Sequence, residues 1–127
     1  MTAPLPIKMY FLVNVDLKMG SGKIAGQVGH AACEWTRRLE RALKLEESIP
    51  NAMVEHYRVW LANHEPKIVL KSSADLMKTM LREYPSKCIP IYDLGRTQVA
   101  PMSMTVVAFA PAPPDQLPKE ISGLKLL

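Results

Sequence analysis

The sequence predicts an α/β domain, because short apolar runs of strand type alternate with longer segments of helical period. Neither an internal repeat nor a flexible linker divides the 127 residues, so residues 1–127 are expected to form one domain. At 48% apolar, that length suffices for a full core. No apolar run is long enough to span a bilayer, and the first eight residues lack the pattern of a signal peptide. Cys33 and Cys88 form neither a CxxC pair nor a metal spacing, so reduced thiols in a cytosolic protein are expected.

Residues 1–8 are expected to be flexible. Met9 to Val15 is a continuous apolar run with β-branched and aromatic residues, the pattern of a buried strand. Lys18 to Gly22 reads as a loop. From Lys23 the period changes, and Ile24, Val28, Ala31, Trp35, Leu39 and Ala42 form one core-facing helical stripe. A polar break with a proline leads to a second helix over Ala52 to Asn63, with Met53, Tyr57, Trp60 and Leu61 on one side. Lys67 to Lys71 is a second strand. Ser73 or Asp75 caps a third helix, Leu76 to Tyr84, which Pro85 ends. Cys88 to Tyr92 is a third strand, where Pro90 favours a sheet edge or a strand start. After the Asp93–Met102 loop comes a fourth strand, Met104 to Ala110. A proline-stiffened turn, a short helical turn within Asp115 to Ser122 and an extended tail complete the chain.

Charge is distributed unevenly over these elements. Residues 1–45 hold seven lysines and arginines (8, 18, 23, 37, 38, 41 and 44) against three acids (16, 34 and 40). The rest of the chain is balanced, so the whole net charge of +4 lies on the first strand, loop and helix. Such a surface suits phosphates, and chance bias on a solvated helix face would give the same count.

Two loops carry the chemistry. The first, Asp16 to Gly22, ends a strand and opens a helix, pointing backbone N–H groups and two ammonium charges at one place. Beyond it Lys23, Gln27, His30 and Glu34 recur at helical spacing and fall in a narrow sector beside the apolar stripe. Two readings fit that sector: the edge of a cleft, or an ordinary polar helix flank. A phosphate-binding P-loop is excluded, since Leu17 and Ile24 stand where it needs Gly and Ser or Thr. Gly20-Ser21-Gly22-Lys23-Ile24-Ala25 fits the looser dinucleotide pattern, but a second helix intervenes where that fold needs a strand and an acid. The second loop, Asp93-Leu94-Gly95-Arg96-Thr97-Gln98, follows a strand and precedes Thr105. Asp93 suits a water or proton, Arg96 a phosphate, and the threonines a carbonyl or ribose. A plain turn, with Asp93 bonded to its own backbone, is the alternative.

Together the two loops resemble the peptidyl-tRNA hydrolases of the archaeal and eukaryotic type, the Pth2 family. Matching residues are Asp16-Leu17-Lys18-Met19, Gly22-Lys23, Ala25, Gln27 and His30-Ala31. A second block, Asp93, Gly95-Arg96-Thr97-Gln98, Ala100-Pro101, Ser103 and Thr105, has the family's spacing. Pro66 to Lys71 and the tail Gly123 to Leu127 also match. The resemblance implies a mixed four-stranded sheet with helices on both faces, usually in a homodimer. The implied reaction is hydrolysis of the ester between a peptide and the 3′-terminal ribose of tRNA, with no metal or cofactor.

Carried onto this chain, the family's active residues are Lys18, Asp93 and Thr105, with Thr97, Lys23, Gln27 and His30 around them. Lys18 is expected to stabilise charge on the ester oxygen. Asp93, with Thr97 or Thr105, is expected to position water, and His30 is a second candidate base. Lys23, Gln27, Arg96, Gln98 and the Arg37, Arg38 and Arg41 face are expected to bind tRNA.

Several positions depart from the family. Asn14 replaces a usual Arg, Met102 a usual Gly, and Ala110 and Ala112 common glycines. Residues 46–64 read as a helical insertion suited to a protein partner, and the connection before Cys88 is short. These departures leave a second reading: a member of the same fold that binds RNA or a protein with weakened catalysis.

Overall fold

The computed structural model describes residues 6–45, 49–94 and 99–127. Four strands form one mixed sheet in the order β2-β1-β4-β3, with β1 at Met9–Asn14, β2 at Lys67–Ser72, β3 at Cys88–Tyr92 and β4 at Met104–Phe109. Strand β1 runs parallel to β2 and antiparallel to β4, and β4 runs antiparallel to β3. The carboxyl ends of β1, β2 and β3 therefore share one end of the sheet. Pro90 sits on the edge strand β3, where its missing N–H breaks no ladder on the open side. The tail lies along the outer side of β2, through the Leu70–Leu126 bridge and a hydrogen bond from Leu127 N to Val69 O.

Side chains alternate along a strand, so the central strands feed two separate cores. Met9, Phe11, Val13, Val106 and Ala108 pack with Trp35 and Leu39 of α1 (Ser21–Leu45) and with Tyr57 and Trp60 of α2 (Asn51–Ala62). Leu12, Val107, Phe109 and Leu70 pack with Met77 and Met80 of α3 (Ala74–Glu83). Both tryptophans satisfy their indole N–H while buried, Trp35 on the main-chain oxygen of Ala108 and Trp60 on that of Pro66, each at 2.8 Å.

Ser73 caps α3 by accepting from Leu76 N, so the helix begins two residues before the expected Leu76. Helix α1 likewise begins at Ser21 rather than Lys23. Its buried stripe holds Gln27, Ala31, Trp35, Leu39 and Ala42, whereas Ile24 and Val28 are half-buried. Gln27 takes the deeper place because a buried polar partner, Thr105, lies beneath it. In α2, Tyr57 and Trp60 turn inward while Leu61 remains exposed, one residue and about 100° beyond Trp60. Both cysteines are free thiols; Cys33 is exposed, and burial pushes the Cys88 thiol up to about 11.

Residues 1–5 and 46–48 lie outside the described residues, whereas Lys8 pairs with Ala112.

Candidate active site

The carboxyl ends of the parallel strands are where open α/β sheets place ligands, and a polar cleft of about 580 Å³ lies there between α1 and β3. One wall is the sector of α1 that carries Lys23, Gln27, His30, Glu34, Arg37 and Arg38. The other is the end of β3, from Pro90 through Leu94.

At its base Lys23 donates to Asp93 across 2.5 Å, joining residues 70 positions apart. Both side chains are nearly buried, at 11% and 6% exposure, so the ion pair is shielded from competing water. Asp93 is also held through its backbone: its N–H reaches the oxygen of Ser103, and its oxygen accepts from Met102 N at 2.7 Å. Behind the pair, the fully buried Thr105 hydroxyl donates to Gln27 Oε1 at 2.6 Å, with the main-chain oxygen of Ile91 a second acceptor at 3.2 Å. Thr105 thus fixes Gln27 in the cleft wall rather than facing the cleft itself.

Toward the mouth, Glu34 accepts from Arg37 Nη2 at 2.6 Å and Arg38 Nε at 3.1 Å. These hydrogen bonds from Arg37 and Arg38 pull the Glu34 carboxyl below its ordinary range. Arg38 also lies 6.0 Å over the Trp35 ring. One carboxylate thereby holds two guanidinium groups at the rim. His30 is exposed on the same wall.

Lys18 and Arg41 are not among the described residues that line this cleft. Lys18 is exposed on the β1–α1 loop, in left-handed backbone geometry (φ 51°, ψ 42°) after the 3-10 turn Val15–Leu17. Arg96, Thr97 and Gln98, expected to act here, lie outside the described residues.

Two features escaped the sequence reading. The β3 wall from Pro90 to Leu94 was not singled out beyond Asp93, because which strand edge meets α1 depends on the sheet order. Asn14 is a buried brace: its Nδ2 donates to Met104 O at 2.9 Å and its Oδ1 accepts from Asp16 N at 3.1 Å. Asp16 in turn accepts from Ala74 N at 2.9 Å, at the start of α3. An Asn ahead of a tight turn is the matching signal.

A cleft lined by Lys23, Arg37 and Arg38 around a shielded Lys–Asp pair thus lies at the carboxyl ends of a mixed α/β sheet. The chain belongs to the family described as "Peptidyl-tRNA hydrolase PTH2", which it matches over residues 7–127. It is 35% identical over 125 residues to a peptidyl-tRNA hydrolase of Metallosphaera sedula, covering 95% of this chain and 100% of that protein. A peptidyl-tRNA hydrolase of Sulfurisphaera tokodaii is 36% identical over 124 residues, covering 94% and 98%. One from Saccharolobus islandicus is 32% identical over 126 residues, covering 95% and 99%. No helix among the described residues is long and apolar enough to cross a membrane.

Proposed function

We propose that this chain hydrolyses the ester between a peptide and the 3′-terminal ribose of tRNA, releasing free tRNA and peptide. The observation that carries the reading is the Lys23–Asp93 pair at the base of a basic cleft, in a chain of this family. Asp93 orients the attacking water and accepts its proton as the water oxygen bonds to the ester carbonyl carbon. Lys23 holds Asp93 in place and sets a positive charge where the carbonyl oxygen becomes negative. The carbon–oxygen bond to ribose then breaks, and the ribose oxygen takes the proton that Asp93 had accepted from the water. His30, exposed in the same wall, is the second group suited to proton transfer. Gln27, held by Thr105, contributes fixed polar contacts to the ester or ribose.

Arg37 and Arg38 meet phosphates at the rim, where contact with the backbone suits a substrate class that includes every tRNA. The exposure of Lys18 outside the cleft favours a phosphate contact for it as well, so Lys23 takes the ester-facing role. On the family resemblance, Arg41, Arg96 and Gln98 are assigned to tRNA binding, and Thr97 to positioning water with Asp93. The setting is cytoplasmic recycling of tRNA from abandoned translation, by a homodimer. Within residues 46–64 the Tyr57 and Trp60 side chains are buried in the core, so a protein partner would meet the exposed face of α2 instead.

The test is hydrolysis of a peptidyl-tRNA by the purified protein and by Asp93→Asn. The expected result is turnover by the wild type and a loss of about 100- to 1,000-fold in the variant, the scale of removing one aligned transition-state group. Binding of tRNA without turnover by the wild type would assign the chain to non-catalytic RNA binding instead.

A further inference from the structure

A separate cavity of about 220 Å³ opens at the other end of the sheet from the polar cleft. Lys87 lines this cavity and Asp93 the cleft, with the whole of β3 between them, about 20 Å at the usual strand rise. Met53, Ala110, Pro111 and Leu117 supply apolar lining. His56 and Lys87 supply basic groups, and Ser86 and Gln116 neutral polar ones. No Asp or Glu stands among the described residues that line it.

The fold turns these groups toward one another. The ladder between β3 and β4 continues one step past Cys88, where Ala110 N donates to Lys87 O at 3.1 Å. Cys88 and Phe109 face the α3 core, so alternation turns Lys87 and Ala110 to the opposite face, where α2 forms the other wall. The start of α2 meets the same cavity through Pro50 and Ala52, and Pro50 provides no side-chain cap. The first turn of α2 therefore adds partial positive charge to that of Lys87.

We propose that this cavity binds a small amphipathic carboxylate, an aliphatic chain whose charged end sits at Lys87 and the first turn of α2. Apolar lining with a few convergent polar groups of one sign is the usual make-up of a small-ligand site. The volume equals that of about seven waters, which suits a chain of about six to eight carbons. An inorganic anion would leave the apolar lining unfilled, and a neutral hydrocarbon would leave the basic rim without a partner. A carboxylate on an aliphatic chain satisfies both. The site is independent of the hydrolase reading, and its occupation leaves the polar cleft open.

The experiment titrates octanoate, acetate and octan-1-ol into the isotope-labelled whole protein and follows the backbone amide shifts. Octanoate, with about ten non-hydrogen atoms, should bind with a Kd below about 1 mM and shift Met53, Lys87 and Ala110. Acetate lacks the chain and octan-1-ol the charge, so each should bind at least about tenfold more weakly. Lys87→Met keeps the stem of an exposed side chain, and should weaken octanoate about tenfold while leaving octan-1-ol unchanged. Lys87→Arg should hold octanoate within about threefold of the wild type. Equal affinity for octanoate and octan-1-ol overturns the proposal, since the charge is then not read. Shifts centred on Lys23 and Arg37 also overturn it, because the anion then prefers the polar cleft. Octanoate that binds only above about 10 mM leaves the cavity without this ligand and overturns it as well.

Discussion

The β1–α1 loop and the β3–β4 connection each carry a non-glycine residue in left-handed geometry, Lys18 at φ 51° and Met102 at φ 63°. They are held by different groups. In the first loop side chains do the holding: Asn14 ties the turn to Met104, and Asp16 ties it to the start of α3. In the second, Lys23 holds the Asp93 carboxylate, and Met102 takes part through its backbone alone, donating to the Asp93 oxygen in a bond that other side chains would preserve. The difference accounts for where this chain departs from its family's pattern. Met102 can replace a usual glycine because its side chain is 64% exposed and its backbone bond does not depend on it. Asn14 replaces a usual Arg by making two hydrogen bonds of its own.

The largest effects should come from the ion pair that joins the two regions. Lys23→Met leaves Asp93 nearly buried without its lysine, and should cost about 3 kcal/mol of stability as well as activity of at least roughly 100-fold. The double variant Lys23→Met with Asp93→Leu replaces both charges by apolar groups. It should recover most of the stability and none of the activity, measured by urea unfolding and peptidyl-tRNA hydrolysis side by side. Recovery of activity in the double variant would remove the pair from the chemistry.

Within the first loop, Asn14→Ala deletes a buried brace with two hydrogen bonds and should cost about 2 kcal/mol. Asp16→Ala removes an acceptor for the first amide of α3 and should cost about 1 kcal/mol, with Asp16→Asn restoring most of it. Both variants loosen the turn that presents Lys18, so the expected kinetic signature is a raised KM for peptidyl-tRNA. Wild-type stability in Asn14→Ala would mean that the backbone alone holds the first loop, and the contrast between the loops would fail.

Much of this arrangement was legible in the sequence. Four short apolar runs gave the four strands, and Pro90 indicated the edge position that β3 occupies. The spacing of Lys23, Gln27 and His30 placed them in one sector, because helical period is a local property, but left a cleft edge and a plain polar flank equally open. The pairing of Lys23 with Asp93 was not legible, since it depends on β1 and β3 ending on the same side of a sheet whose order is set by long-range contacts. The places of Lys18 and Thr105 were obscured for the same reason. Motif matches mark residues as a group, but which one faces the cleft follows from the αL turn at Lys18 and from the depth of β4.

The smallest effect sharpens the comparison most directly, because the same substitution can be made in both loops. A left-handed conformation costs a side-chain-bearing residue roughly 1–2 kcal/mol, and glycine gives back roughly 0.5–1 of that through its more flexible unfolded chain. Met102→Gly should therefore stabilise the protein by about 0.5–1 kcal/mol, since so exposed a side chain loses little burial. Its kcat/KM should remain within about twofold, because the backbone bond to Asp93 stays. Lys18→Gly relaxes the backbone by the same argument and should stabilise by a similar amount, yet it deletes an ammonium assigned to a phosphate. Its KM should rise, and the rise should shrink with added salt as the wild type loses the same contact to screening. Equal kinetics in the two glycine variants would show that the left-handed lysine serves the turn alone. A loss of stability in Met102→Gly would show that the methionine side chain, and not only the backbone, holds the second loop.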